Sequence, residues 1–481
     1  MLLYLSVASA ILLMGTGCMK IGPDYHRPDT GIEMPRSYQH ASTETTTSLP
    51  EDRWWQVFGD HEINQLVEEA LRNNLDIKKA TARILEVRSQ FVETRADRFP
   101  TLSLEGQAQR QHRQIIGVIP GESFSVKTDI YTLSLPASFE LDLWGRLARA
   151  EEAALGDLLQ AEENRRTVAQ TVVAEAITFY LQMESLERRV QITKEIIENL
   201  SHTLALVESR YERGLASVLD LRQARRTLAQ AEALLPSLRQ ELGMTQQKLA
   251  VLLGRYPTTQ APRLQPEEYF KRLATVPPGL PSELLLRRPD IRAAEAKLMT
   301  LNARVGVSKA SRFPRITLTG SFGYSSDELD QLLQHESTMW NLALGIAQPL
   351  FDAGKLQAGQ RAAEARYEQG VAEYAKTVLT AFSEVERAFL TRKEQIERRE
   401  RTLSFLVEAR ATQRVAESRY RRGLVDYLTV LEAQQTRFRA EENLVLVDLA
   451  ILSNRVSLHR AFGGGWAEPA EIVSGPLSVV N

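Results

Sequence analysis

The chain carries the same passage twice, and that repetition limits what it can fold into. Arg98-Phe99-Pro100 followed by Leu102-Ser103-Leu104-Glu105-Gly106 returns 214 residues later as Arg312-Phe313-Pro314 followed by Ile316-Thr317-Leu318-Thr319-Gly320. Ser209-Arg210-Tyr211-Glu212-Arg213-Gly214-Leu215 returns 209 residues later as Ser418-Arg419-Tyr420-Arg421-Arg422-Gly423-Leu424. Each copy holds a few short alternating segments and then a very long polar stretch of helical periodicity. Neither copy can close a sheet or bury a core alone. The pattern points to a conduit completed by several chains.

Charge and composition exclude whole classes of function. Charged residues make up 25% and nearly cancel to a net charge of -2, so no basic surface argues for nucleic acid. Aromatic residues are only 7%, as in extended helical packing rather than a compact globule. Cys18 is the only cysteine, so it forms no internal disulfide and no metal site by itself. The eight methionines are dispersed with no paired motif, so no metal relay is visible. There is no phosphate-binding loop, no His-Glu-x-x-His and no Gly-x-Ser-x-Gly, and the seven histidines are scattered, so an enzyme is not expected.

The apolar run from Leu2 to Gly17 falls short of the roughly 20 residues of a spanning helix and ends in small residues before Cys18. Residues 1–17 thus read as a signal peptide that resembles a bacterial lipoprotein signal, with an ordinary cleaved signal as the alternative. In the lipoprotein case Cys18 becomes the first mature residue, carrying N-palmitoyl and S-diacylglycerol groups. Met19, rather than Asp, follows it, which directs such proteins to the outer membrane.

Residues 18–60, with Pro23, Pro28, Pro35 and Pro50, read as an extended strap. The first repeat, 61–254, opens with helical spacing at Ile63, Leu66, Val67, Ala70 and Leu71, predicting a helix that continues to Pro100. A hairpin over 101–141 alternates Leu102, Leu104, Gly106 and Ala108, then Tyr131, Leu133, Leu135, Ala137, Phe139 and Leu141. A long helical hairpin over 146–254 turns at Gly214, and Pro236 is expected to kink its returning arm. Leu204, Val207 and Tyr211 against Leu215, Leu219 and Leu221 form a modest apolar stripe. A proline-rich linker, 255–281, leads to the second repeat, 282–463. There a hairpin over 314–350 alternates Ile316, Leu318, Gly320, Phe322 and Tyr324, then Trp340, Leu342, Leu344 and Ile346. A helical hairpin over 354–462 turns at Gly423, and 464–481 is a tail. Almost seventy residues without proline in each outgoing arm give roughly 100 Å of helix. Four strands cannot make a transmembrane barrel, whereas three chains would supply twelve. Tyr131, Tyr324 and Trp340 sit toward strand ends, where interfacial aromatics belong. A soluble antiparallel sheet packed on helices would use the same alternation.

Further short motifs run in order along the chain. They are Ile21-Gly22-Pro23-Asp24-Tyr25, Trp54-Trp55 with Phe58-Gly59-Asp60, Leu141-Asp142-Leu143-Trp144-Gly145, Arg288-Pro289-Asp290-Ile291, and Gln348-Pro349-Leu350-Phe351-Asp352-Ala353-Gly354. With these the chain resembles the outer-membrane efflux proteins of the TolC family, in particular the lipid-anchored branch that works with resistance-nodulation-division pumps. The resemblance implies a mainly α fold with a small membrane β-barrel. Its assembled form is a homotrimer in which a twelve-stranded barrel is continuous with a long periplasmic α-helical barrel.

The function implied is that of a passive exit duct for small molecules, fed by an inner-membrane pump through a periplasmic adaptor. No cofactor or metal is expected beyond the lipid on Cys18. The adaptor would dock at the tips, on Gly214, Leu215, Ala216 and Ser217 and on Gly423, Leu424 and Val425. Leu428 and Glu432 fall where the family places its periplasmic constriction and acidic ring; three carboxylates about an axis would favour cations and make closure costly. Asp220, Arg419, Tyr420 and Asp426 could form polar latches between neighbouring helix pairs. Glycine capping alone, or a solvated role for any one charge, accounts for single residues. A protein-secretion conduit and a non-transporting envelope spacer are the rival readings.

Overall fold

The computed structural model describes residues 20–29, 31–32, 37–40, 53–116, 123–257 and 287–464. Cys18, most of the 255–281 linker and all but the first residue of the 464–481 tail lie outside the described residues. The helices are α1 (His61–Asn73), α2 (Leu75–Ala96), α3 (Arg146–Glu212), α4 (Val218–Leu252), α5 (Pro289–Ala310), α6 (Lys355–Arg421) and α7 (Tyr427–Ala461). The strands are β1 (Thr101–Leu102), β2 (Glu105–Ile116), β3 (Ser123–Glu140), β4 (Arg315–Ser326) and β5 (Thr338–Ala347). α3 and α6 each run 67 residues, and α4 and α7 each run 35, so the duplication read in the sequence reappears element for element.

One expectation is corrected. The helix predicted from His61 to Pro100 is broken at Asn74. The Asn74 side chain accepts from the amides of Asp76 and Ile77 at 2.9 and 3.0 Å, starting a new helix, and donates to the carbonyl of Leu252 at 2.8 Å. α4 runs from Val218 to Leu252 with Pro236 inside it.

The chain falls into two compact units: residues 1–31, 83–162 and 293–375, and residues 32–82, 163–292 and 376–481. In the first, β2, β3, β4 and β5 lie side by side in that order, all antiparallel, while β1 prolongs the β2 edge by pairing with the end of β3. β3 starts at Ser123 rather than near Tyr131 and pairs with β4 only from Tyr131 to Glu140. The far half of β3 therefore forms a two-stranded ribbon with β2, in register from Gln109 opposite Ile130 to Ile116 opposite Ser123.

The same unit explains the Ile21-Gly22-Pro23-Asp24-Tyr25 motif. The Arg149 side chain, only 3% exposed, donates to the carbonyl of Gly22 at 3.1 Å and to the Asp24 carboxylate at 2.8 Å, while also pairing with Glu152. Arg149 and Asp24 hold each other charged, Asp24 falling below the ordinary carboxylate range through its hydrogen bond to Arg149. Gly22 has φ +105, and a Cβ there would stand 2.7 Å from the Gly306 Cα, so no other residue fits without moving α5. Arg27 then forks onto Glu295 at 2.8 and 2.7 Å.

In the second unit the Trp54–Phe58 turn fills the core. Trp54, Trp55 and Phe58 pack with Ile63 and Val67 of α1, Val173, Ile177, Tyr180 and Leu181 of α3, and Leu452 and Val456 of α7. Arg288 of the Arg-Pro-Asp motif pairs with Asp290 at 2.6 Å and Glu384 at 2.7 Å and donates to the carbonyl of Ala461 at 3.1 Å. That single guanidinium ties the start of α5 to α6 and to the end of α7.

Candidate functional site: the helix-pair tips and the sheet

The two turns joining the long helices are built identically. Gly214 and Gly423 take φ +68 and +75, conformations that cost a side-chain-bearing residue energy. At the first turn the Gly214 amide donates to the Tyr211 carbonyl at 2.9 Å and the Leu215 amide to Arg210 at 2.8 Å. At the second, Gly423 donates to Tyr420 at 2.9 Å and Leu424 to Arg419 at 3.0 Å. Each is the paired C-terminal motif that satisfies the last helical carbonyls and turns the chain. The next helix then starts on a side-chain cap. Ser217 and Asp220 form a reciprocal capping box, at 3.1 and 2.9 Å, and Asp426 accepts from the Thr429 amide and hydroxyl at 3.0 and 2.7 Å. The Thr429 bonds hold the Asp426 carboxyl below its usual range.

These turns leave apolar side chains in the open. Leu215 and Leu424 are both 65% exposed, and Val218, Leu219 and Leu428 project beside them. Ala216 and Val425 are half-buried, Val425 packing on the cluster below. Of the apolar stripe read in the sequence, Val207 and Leu221 are buried, Leu204 is partly so, and Tyr211, Leu215 and Leu219 are exposed. Leu428 and Glu432, one helical turn apart on α7, are both exposed in the single chain.

Tyr420 is the centre of the tip. Its buried ring lies 4.7 Å from the Arg210 guanidinium and 5.8 Å from the ring of Tyr427, and its carbonyl accepts from Arg210 at 3.0 Å. Neither the Tyr420 nor the Tyr427 hydroxyl has a hydrogen-bond partner among the described residues. Burial raises both phenols, Tyr427 to about 12, with Asp220 close enough to add to each shift. Tyr420 and Asp220 of one chain make no hydrogen bond among the described residues, Asp426 is occupied as a cap, and Arg419 is exposed without a side-chain partner among the described residues.

Sequence reasoning missed Arg210, Tyr427 and a polar cluster further along the same helices. Gln434, 1% exposed, donates to Thr203 at 3.1 Å and to Glu417 at 3.2 Å. Gln413 also donates to Glu417, at 2.6 Å, and Arg437 links Gln413 to Glu441. The partners come from α3, α6 and α7, so no contiguous stretch announces the cluster; a glutamine at an inward-facing position of α7 was its one visible trace.

The sheet has two unlike faces. Opposite residues place Leu135, Phe322 and Trp340 in one row, Ala137, Gly320 and Leu342 in the next, and Phe139, Leu318 and Leu344 beyond. Trp340, Leu342, Leu344 and Ile346 are 60–75% exposed. The alternate residues, among them Ser134, Ser138, Thr317, Thr319, Ser321 and Asn341, are small or polar. From Tyr131 to Phe139 the apolar face spans about 27 Å along β3. Tyr131, at mid-strand rather than at the strand end, closes this face. Among the described residues, no helix is long and apolar enough to cross a membrane, and no group of three or more His, Cys, Asp or Glu could hold a metal ion.

Comparison with known proteins agrees with this arrangement. A family model described as outer membrane efflux protein matches residues 66–255 and 280–464. The solvent efflux pump outer membrane protein SrpC of Pseudomonas putida is 34% identical over 464 residues, covering 95% of this chain and 97% of that protein. The probable outer membrane lipoprotein SilC of Salmonella typhimurium is 31% identical over 469 residues, covering 96% and 99%. The solved structure of the outer-membrane channel OprN superposes with a TM-score of 0.85 at 31% identity, over 93% of this chain and 99% of that one.

Proposed function

This chain belongs to the outer membrane efflux protein family, and from that membership we propose that it works as a homotrimeric exit duct for small organic compounds. Three sheets make a twelve-stranded barrel in the outer membrane, and three sets of long helices make the periplasmic wall. One observation carries the reading. The sheet is apolar on one face, polar on the other, and unpaired among the described residues along the outer edges of β2 and β5. Lipid tolerates no open edge, so such a sheet is completed by its own copies.

The repeats 61–254 and 282–463 each contribute one hairpin and one helix pair. The Gly214–Ser217 and Gly423–Val425 turns, with exposed Leu215 and Leu424, receive a periplasmic adaptor, and a resistance-nodulation-division pump behind it supplies the energy. Leu428 and Glu432 narrow the tip, while Tyr420, Asp220, Arg419 and Asp426 latch neighbouring pairs. An N-palmitoyl, S-diacylglyceryl Cys18 anchors the chain. The duct itself does no chemistry.

The test is single-channel conductance in planar bilayers, with the mass in detergent, for wild type and for Leu428→Gly with Glu432→Ala. A trimer that conducts poorly as wild type and well as the double variant is expected. Equal conductance would displace the gate from these residues, and a non-conducting monomer would end the duct reading.

A further inference from the structure

The two hairpins differ sharply in charge beyond the apolar face. The turn between β4 and β5, residues 327–337, holds Asp327, Glu328, Asp330 and Glu336 and neither Lys nor Arg. All four carboxylates are exposed, and none forms an ion pair among the described residues. The other hairpin rises further, as the β2–β3 ribbon. Its β2 arm carries Arg110, His112 and Arg113 and no acid between Glu105 and Ile116. Its β3 arm carries Lys127 and one acid, Asp129.

Each arm has a different neighbour. Within one chain the acidic turn leaves β4 beside β3, since Ser326 pairs with Tyr131. The basic arm is one strand further away, on the open edge of the sheet. Asp129 holds two donors of Arg110 at 2.6 Å each, which fixes that fork but leaves the other Arg110 nitrogen free; Arg113 is exposed and unpaired among the described residues.

We propose that the acidic β4–β5 turn of one chain seats against the basic outer edge of β2 in the next chain, clamping the rim of the assembly by charge. The inference rests on the trimer reading above. In a ring ordered β2-β3-β4-β5, the open edge of β5 meets the open edge of the next β2. In the single sheet one row runs from Gly106 on the β2 edge through Leu133 and Tyr324 to Thr338 on the β5 edge, and strand tilt staggers that row by a few residues where the ring closes. The acidic turn precedes Thr338, and Arg110 and Arg113 follow Gly106, so both charged segments lie beyond the same end of that row. Opposite charges repeated three times favour the correct closure and oppose pairing of β2 with β2 or β5 with β5, where like charges would face one another.

The test uses the full-length trimer in detergent and follows its dissociation at 0.1 M and 1 M salt, between which the screening length falls from about 10 Å to about 3 Å. Arg113→Glu should speed dissociation about tenfold at low salt and little at high salt. Asp330→Lys with Glu336→Lys should do the same, and the combination of all three should restore wild-type behaviour. Variants that dissociate like wild type at both salts, or a combination that fails to rescue, would overturn the clamp while leaving the trimer intact. If Arg113→Glu instead reduces only the retention of bisphosphorylated lipid A, the basic edge serves lipid and the clamp falls. A wild-type protein that is never trimeric would remove the duct reading and the clamp together.

Discussion

The Tyr420 hydroxyl offers a direct measure of the latch. Within one chain it is buried without a partner, a condition that costs about 1 to 3 kcal/mol. Its ring, however, is held independently, by the Arg210 guanidinium on one side and Tyr427 on the other. Tyr420→Phe therefore keeps the packing and removes only the hydroxyl. If the closed trimer gives that hydroxyl a carboxylate partner on the next helix pair, each bond contributes roughly 1.5 to 3 kcal/mol, and three of them about 5 kcal/mol or more. Losing that much moves a closed-to-open equilibrium by over a thousandfold. The expected result is a trimer whose conductance in planar bilayers rises well above wild type without loss of thermal stability. Tyr427→Phe, which removes a hydroxyl from the same cluster at the first residue of α7, should leave conductance unchanged. Because burial raises both phenols, the contrast should hold from pH 5 to pH 9. A Tyr420→Phe trimer with wild-type conductance and a higher melting temperature would refute the argument, since its hydroxyl would then be a cost that closure never offsets.

Three further outcomes follow from the same geometry. Leu342→Arg, on the apolar face, should cost about 2 to 4 kcal/mol in bilayer and reduce heat-resistant trimer, whereas Asn341→Arg on the opposite face should not. Arg288→Met strands the Glu384 carboxylate and the Ala461 carbonyl in a site where Arg288 is 7% exposed, and should lower stability by about 3 kcal/mol in thermal unfolding. The Asp426 cap has a folded pKa below its unfolded value near 3.9, so its contribution is complete above that value and fades as pH falls through the folded one. Amide exchange at Thr429, corrected for its intrinsic rate, should accelerate in that acid window and should already be fast in Asp426→Ala.

What could be read in the sequence was what repeats locally. The tip glycines were legible because a left-handed residue after a long helix has few alternatives, and the duplicated Ser-Arg-Tyr made them a pair. The strand faces were legible from a period of two. The break at Asn74 was not, because the apolar spacing continues through Leu75 and Ile77, and only the reach of the Asn74 side chain to α4 betrays it. The early start of β3 was hidden because its alternation, Phe124, Val126 and Ile130, has the opposite parity to Tyr131, Leu133 and Leu135, so the two runs do not read as one strand; pairing with β2 joins them. The roles of Arg149, Arg210 and Gln434 were hidden for a common reason. Their partners lie far along the chain, 125 residues away for Arg149 and Asp24, and 210 for Arg210 and Tyr420.

The strap has a consequence for how three such chains find one another. The Ile21 amide donates to the Trp144 carbonyl at 3.0 Å, and Lys20 packs against Gly145, at the foot of the sheet. Cys18 precedes Lys20 by two residues, a reach of about 7 Å. Acyl chains on Cys18 would therefore enter the bilayer beside the strands they accompany, and each protomer would wait at the membrane with its open edges already at the right depth. The search for partners would then run in two dimensions instead of three. A tether on a long free leader would confine the chain to the surface but leave its sheet to tumble; an acylated Cys18 would set height and heading before any copy arrives.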